Sequence, residues 1–580
     1  MILGACRVYP TCDDGRLGRS PNATDSTKSS PLGRLVAGAL AAFVVSACTK
    51  VDDAATSGGS AGGGAHPDRL TISTAADPKN LNPALASSQE VGALSAFLFS
   101  YTVRYDQHAR PVPDAVSEIP TTANGDVSAD GRTLKYKLRH GIKWHDGPEL
   151  TCADLRFTWQ MMINPKNNVV TTDGWSDIHD VDCRDPYVAV VHLKRVYAPF
   201  LQQLWGVNGN SPILPEHLLA KLNDNKGSLN AAAFNAAPIG SGPYKFVSWT
   251  RGSDVRMAAN SDYFLGKPKI AEVIYKIIPD QNTLATQLQT HELDLAWGVQ
   301  AANYAAVRTI PGSTTIAPVV YIFDHIDFNL RRPIFADVRV RRALTYAIDR
   351  PTLLAKLRHN LGELSDSFLD PTLYPFAQTS RLVRYPYDVA KAKALLDAAG
   401  WRVGPDGVRV KNGQRLAFQF STQVESTAGH ALQAQVLTYW RTVGAVAEIK
   451  NYVTPSFFDN TANGILQGGK YDVALFAWTG AADIDNSAIY SGANFAPHGQ
   501  NNLFWNNPIA TKAMADANET VDQQKRIADY ATVQYEFTKD DPSIIMWFRK
   551  DVEVYPSALR GFSSTPVILT PFWNPWAYSF

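Results

Sequence analysis

A short apolar run near the N-terminus, Leu35 to Val45, limits everything that can follow it. It comes after Arg34 and closes on Val45-Ser46-Ala47-Cys48. A basic residue, a brief apolar core and small residues before a cut describe an export signal. At about 11 residues it is too short for the ~20 that span a bilayer as a helix. Cysteine directly after the small residues gives it the look of a bacterial lipoprotein signal. The mature chain is then expected to start at Cys48, lipidated on its thiol and amine. Residues 52–66, with Gly58-Gly59-Ser60 and Gly62-Gly63-Gly64, form a flexible leash to the folded body. The polar first 30 residues, with Cys6 and Cys12, precede this signal. They reflect either a start set too far upstream or a disordered extension.

About 514 residues remain beyond the leash, more than one core accommodates, so two or three domains are expected. No later segment offers 18 consecutive apolar residues, so nothing else crosses a membrane as a helix. Net charge is +1 with no long Lys/Arg block, which argues against nucleic acid as a partner. Aromatic residues reach 11%. Such rings serve organic ligands as well as cores. Cys152 and Cys183 are the two cysteines of the exported body. In an oxidising compartment they are expected to pair, the alternative being two separate buried thiols.

Strands and helices mix along the chain, which predicts α/β domains. Leu70–Ser73, Leu134–Leu138, Tyr187–Leu193, Tyr244–Trp249 and Val273–Ile278 read as strands. Helices are expected at Val91–Phe99, Asn282–Gln289, Val338–Ile348, Asp388–Ala399, Gly429–Val443 and Val521–Lys539. Thr151 and Asp154 stand as a capping-box-like pair ahead of a helix. Phe418–Phe420 and Tyr471–Phe476 are further strands, and two apolar segments near 319–328 and 543–549 read as crossing strands.

Chemistry-bearing motifs are missing. There is no P-loop, no G-x-S-x-G elbow and no H-E-x-x-H. His140 and His145 lie five apart without further ligands, so no metal site, cofactor or catalytic group is assigned.

Four stretches carry a resemblance. They are Leu138-Arg139-x-Gly141-Ile142-Lys143-Trp144-x-Asp146-Gly147 with Leu150-Thr151-x-x-Asp154-Leu155, Pro238–Phe246, Phe335–Arg350 and Ala390–Trp401. Together, behind a lipobox, they resemble the family 5 extracellular solute-binding proteins, the oligopeptide-, dipeptide- and nickel-binding lipoproteins of ABC importers. The likeness covers roughly residues 68–580. It implies a two-lobed periplasmic-binding-protein fold of α/β class, with an additional subdomain and lobes joined by two crossing strands. The implied division is 1–47 extension and signal, 48–67 anchor and leash, 68–105 lobe I, 106–209 subdomain, 210–318 lobe I, 319–544 lobe III, and 545–580 the return to lobe I. It further implies a monomer without enzymatic activity. Such a protein takes a peptide or other small solute from the periplasm or cell surface and docks on ABC permease subunits.

In the peptide-binding members a Trp, and an Asp three residues later, follow a lobe III strand, and the Asp meets the ligand's α-amino group. Here the Trp is Trp478, but the third residue on is Ala481. Either Asp483 or Asp485 supplies the anion, or the ligand has no free amine there; a solvated turn is the alternative for both acids. For Trp478 the alternative is plain core packing. On the lobe I side the resemblance points to Ser87, Ser88 and Gln89, and to Trp297 and Gly298. An oligosaccharide, an opine-like compound or a metal chelate stays open as ligand. A secreted enzyme or chaperone lipoprotein on the same fold is the reading from a different class.

Overall fold

The computed structural model describes residues 67–580, apart from 87, 208–210, 223–227, 376, 498 and 568–570. The expected signal, Cys48, the leash at 52–66 and Ser87 lie outside the described residues.

Two sheet systems organise the chain. In the first, Arg69–Thr74, Glu272–Ile277, Asp254–Ala259 and Tyr244–Thr250 lie side by side in that order. Leu70, Ile72, Val273, Tyr275, Val255 and Met257 recur at every second position and are buried. This is the two-residue period of a strand with one face in a core. A three-stranded sheet, Ala296–Val299, Val552–Pro556 and Ser313–Ile316, adjoins it through a bridge between Ile72 and Leu295. The second system is one six-stranded sheet. Its order is Gly362–Glu363, Ser543–Lys550, Val319–Phe328, Val473–Thr479, Ala417–Ser421 and Val446–Ile449. Helices Val338–Tyr346, Arg350–Arg358, Val389–Ala398 and Thr427–Thr442 bring residues to its main core, among them Leu344, Leu353, Leu396 and Val436.

The chain passes between the two systems twice. Ser313–Ile316 pairs in the first and Val319–Phe328 in the second; Ser543–Lys550 pairs in the second and Val552–Pro556 in the first. The crossings run side by side, since the Asp551 amide donates to the Pro318 carbonyl at 2.9 Å. The return to lobe I therefore starts at Val552 rather than at 545. Ile544 and Ile545 are in register with Ile326 and His325, so burial holds this segment in the second sheet. The boundary drawn at 105/106 also shifts, because Val103–Tyr105 forms a hairpin with Pro111–Pro113.

The subdomain is built on a three-stranded antiparallel sheet, Thr133–Lys137, Val188–Leu193 and Ile178–Asp185. Helix Cys152–Met162 contributes Cys152, Leu155 and Met162 to the core beside this sheet. At its start Thr151 accepts from the Ala153 amide, and the Asp154 carboxylate accepts from the Thr151 amide at 2.9 Å. A disulfide joins Cys152 to Cys183 on the edge strand, with Cα atoms 5.5 Å apart.

The sequence motifs turn out to be joints. Gly240 packs where a Cβ would collide with the Leu98 carbonyl. The Gly240 amide donates to His145 Nδ1 at 3.2 Å, leaving Nε2 to donate to the Gly242 carbonyl at 3.0 Å. Burial, chiefly, lowers the His145 pKa to about 4, so the ring stays neutral in this clasp. Arg341 reaches from its helix to the carbonyls of Phe335 (2.6 Å) and Asp541 (3.1 Å), and Thr345 donates to Asp541 Oδ2 at 2.7 Å. These bonds tie helix Val338–Tyr346 to the end of helix Gln523–Asp540.

Candidate functional site

The end of strand Val473–Thr479 and the loop after it hold three of the expected ligand residues, Trp478 on the strand and Asp483 and Asp485 in the loop. Trp478 is half-buried and packs near Phe476, ring centroids 6.3 Å apart. Together with His325, Asp327 and Tyr490 it lines a recess of about 10 Å³, too small for a solute. The two acids are engaged elsewhere. Asp483 takes a two-pronged ion pair from Arg526, at 2.5 and 2.8 Å. Burial opposes the Arg526 charge, but Asp483 outweighs it and raises the pKa of the guanidinium. Asp485 accepts from the Tyr530 hydroxyl at 2.7 Å and from the Ser487 amide at 2.8 Å. In this structure, then, Asp483 is paired within lobe III and Asp485 is held in the turn ahead of Ser487–Tyr490. The Asp483 amide donates to Gln202 of the subdomain at 2.8 Å. Ala481 contributes its carbonyl, which accepts from Tyr374 at 2.7 Å.

The cavity with room for a solute, about 290 Å³, lies close by on the same sheet. It opens where both crossing strands enter, between the end of helix Arg350–Arg358 and the start of helix Thr427–Thr442. Asp324, Arg358, Gln423, Phe458, Trp547 and Arg549 define its character. Asp324 accepts from Arg549 at 2.6 and 3.1 Å and from Trp547 Nε1 at 2.7 Å. Burial works against its charge, yet Arg549 prevails and lowers the Asp324 pKa. Arg358 differs. Its Nε donates to the Leu361 carbonyl at 3.0 Å, and its terminal nitrogens make no hydrogen bond among the described residues. Burial, chiefly, lowers its pKa, which Asp324 partly offsets. Asp324 and Asp551 both act on the two arginines, so what suits an anion here is the unengaged fork of Arg358 beside a helix N-terminus.

The crossing links this cavity to lobe I. Asp551, next to Arg549 and Arg358, accepts from the Gly298 amide on strand Ala296–Val299. Burial raises its pKa to about 6, against the pull of both arginines. Gly298 itself is exposed with φ +67, a left-handed conformation that favours glycine. Trp297 is 8% exposed and lies beside the Tyr275 hydroxyl. Ser88 is the exposed residue before helix Gln89–Leu98, and Gln89, half-buried, opens that helix. The structure thus brings Gly298 to the hinge and leaves Ser88 and Gln89 at a helix start in lobe I.

Sequence reasoning missed Arg358, Asp324, Arg549 and Asp551. One signal was present: the apolar run Ile544–Phe548 gives way to Arg549, Lys550, Asp551 and Glu553, of which Arg549, Asp551 and Glu553 fall at alternate positions. Charge at every second residue of such a strand marks a face that is not plain core.

Over 500 residues the chain is 24% identical to the oligopeptide-binding protein AppA of Bacillus subtilis, covering 86% of this chain and 89% of that one. Di/tripeptide-binding protein 2 of Pseudomonas aeruginosa is 27% identical over 530 residues, covering 86% and 95%. Among solved structures, AppA of Bacillus subtilis with a nonapeptide superposes with TM-score 0.74 at 22% identity, covering 88% of this chain and 98% of that one. NikZ of Campylobacter jejuni with Ni(L-His) superposes with TM-score 0.75 at 25% identity, covering 89% and 100%. The fold is the two-lobed periplasmic-binding-protein architecture with its additional subdomain. The family model for bacterial extracellular solute-binding proteins, family 5 middle, matches residues 80–500, and the chain belongs to that family.

Proposed function

We propose that this protein is the substrate-binding component of an ABC importer, capturing a short peptide between its lobes and handing it to a membrane permease. One observation carries the reading. A cavity of about 290 Å³ at the crossing end of the lobe III sheet presents Arg358 with its terminal nitrogens unengaged. That volume is at the small end of the ~300–1,000 Å³ usual for ligand sites. A guanidinium fork suits a carboxylate, which every peptide with a free C-terminus carries. The printed names of the relatives, oligopeptide- and di/tripeptide-binding proteins, point the same way. The role is binding rather than catalysis: ligand contacts on both lobes favour the closed form over the open one. A chelate is the second reading, favoured by the likeness to NikZ with Ni(L-His).

Lipid on Cys48 would hold the protein at the membrane as a monomer, with the leash giving it reach. Among the described residues no helix is long and apolar enough to cross a membrane.

Calorimetry with a pool of di-, tri- and tetrapeptides, and separately with Ni(L-His), tests the reading. The peptide pool should bind, and Arg358→Gln should weaken it by about 2–5 kcal/mol, the range for losing one partner of a buried charge pair. Stability should change by under about 1 kcal/mol. Binding of Ni(L-His) without any peptide response would move the assignment to the chelate. For the anchor, Cys48→Ser should release the protein from membranes, and membrane association unchanged by that substitution would remove the lipid.

A further inference from the structure

We propose that Glu553 is a second charged ligand contact, on the lobe I side, and that it receives the cationic group of the ligand, which in a peptide is the terminal ammonium. The proposal rests on the peptide-capture reading. Glu553 lies on strand Val552–Pro556 between Val552 and Val554, which both enter the core on the other face of the strand. It is 2% exposed, and its Oε2 has no hydrogen-bond partner. One more buried polar atom beside it is also unmatched, the Tyr578 hydroxyl. Native proteins pair the large majority of such atoms, so two side by side mark somewhere a further polar group belongs.

The position fits a ligand shared between lobes. Ser564 reaches the Glu553 carboxyl, and two residues later the Pro566 carbonyl accepts from the Tyr321 amide on the crossing strand at 3.2 Å. Glu553 is therefore enclosed by segments that run along the lobe boundary. Arg549, which lines the cavity, stands four residues earlier on the same crossing segment. At ~3.3 Å per extended residue the two are ~13 Å apart along the chain. Three or four extended peptide residues cover that span.

The charges around Glu553 leave a cation missing. Asp551 acts on it with like sign, and Tyr555 and Tyr578 face it as neutral hydroxyls. Tyr244 and Arg104 stand behind Tyr578 and act on that ring. Burial first, and then Asp551, push the Glu553 carboxyl up to about 8. At pH 7 it is neutral without ligand. An arriving ammonium makes it ionise, and its proton leaves to the buffer, so one cation enters and one proton departs.

The experiment uses a pool of tri- and tetrapeptides with free amines and the same pool N-acetylated, titrated at pH 7 in buffers of different ionisation enthalpy. Wild type should bind the free pool with release of close to one proton per peptide. The acetylated pool, and Glu553→Gln with the free pool, should each bind about 30-fold or more weaker, without proton release. Equal binding of both pools by wild type, or wild-type affinity and proton release in Glu553→Gln, overturns the assignment and leaves peptide capture standing. Failure of both pools to bind wild type overturns the two together. If Glu553→Gln does not fold, the two pools on wild type decide alone: one proton against none.

Discussion

The loop at 478–486 and the segment at 549–553 both carry buried charge near the lobe boundary, and they treat it in opposite ways. In the loop every charge has an internal partner. Arg526 closes on Asp483 with two hydrogen bonds, and Asp485 is held by Tyr530 and the Ser487 amide. Along the crossing segment matching is incomplete. Asp324 and Arg549 satisfy each other, while Arg358 across the cavity and Glu553 further along the strand keep unengaged atoms. A buried charge with a partner has its desolvation cost offset in the apo fold; a buried polar group without one carries that cost until something arrives. The second region is thus the one arranged around an absent molecule.

The largest effect should follow from breaking the matched side. Asp483→Ala leaves Arg526 buried and unpaired, and side chains this enclosed should cost about 3–5 kcal/mol in chemical denaturation. Ligand affinity of the folded fraction should be retained. A loss under about 1 kcal/mol would mean that the loop, too, holds its acid in reserve. Away from both regions, removing the Cys152–Cys183 disulfide should cost about 2–4 kcal/mol, since it closes a long loop of the subdomain. Thiol titration of the denatured, unreduced protein should find neither cysteine free.

The unmatched side predicts a pH dependence. The Glu553 carboxyl titrates near 8 when folded and in the ordinary carboxyl range when unfolded. The folded state then binds more protons between about pH 4.5 and 8. Stability of the ligand-free protein should fall as pH rises through that window, by up to about 1.4 kcal/mol per pH unit from this group. Glu553→Gln should remove that contribution. An unchanged slope would place Glu553 among the matched charges. The smallest effect belongs to an exposed pair such as Lys512–Asp516, where Lys512→Ala should shift stability by under about 0.5 kcal/mol.

Much of the architecture was legible in the sequence because it is written in local pattern. The strand alternation at Leu134–Leu138, the Thr151–Asp154 cap and the two apolar crossings all express interactions between near neighbours in the chain. The site was less legible. Asp483 and Asp485 look free in sequence because their partners, Arg526 and Tyr530, lie more than 40 residues downstream on a helix with no motif of its own. Arg358 reads as an ordinary basic residue ending a helix; its unengaged nitrogens follow from which groups the fold fails to place beside it. The crossing illustrates both cases. Its apolar run was clear, but its true end at Asp551 depends on register with Val319–Phe328.

The central claim is that two groups, the Arg358 guanidinium and the Glu553 carboxyl that ionises on binding, await the two ends of one short peptide. Mass spectrometry of the small molecules released from natively purified protein tests it most directly. The account predicts peptides of a few residues with free amino and carboxyl termini, near one per protein. A bound solute lacking either terminus, such as a neutral oligosaccharide or a blocked peptide, would contradict it.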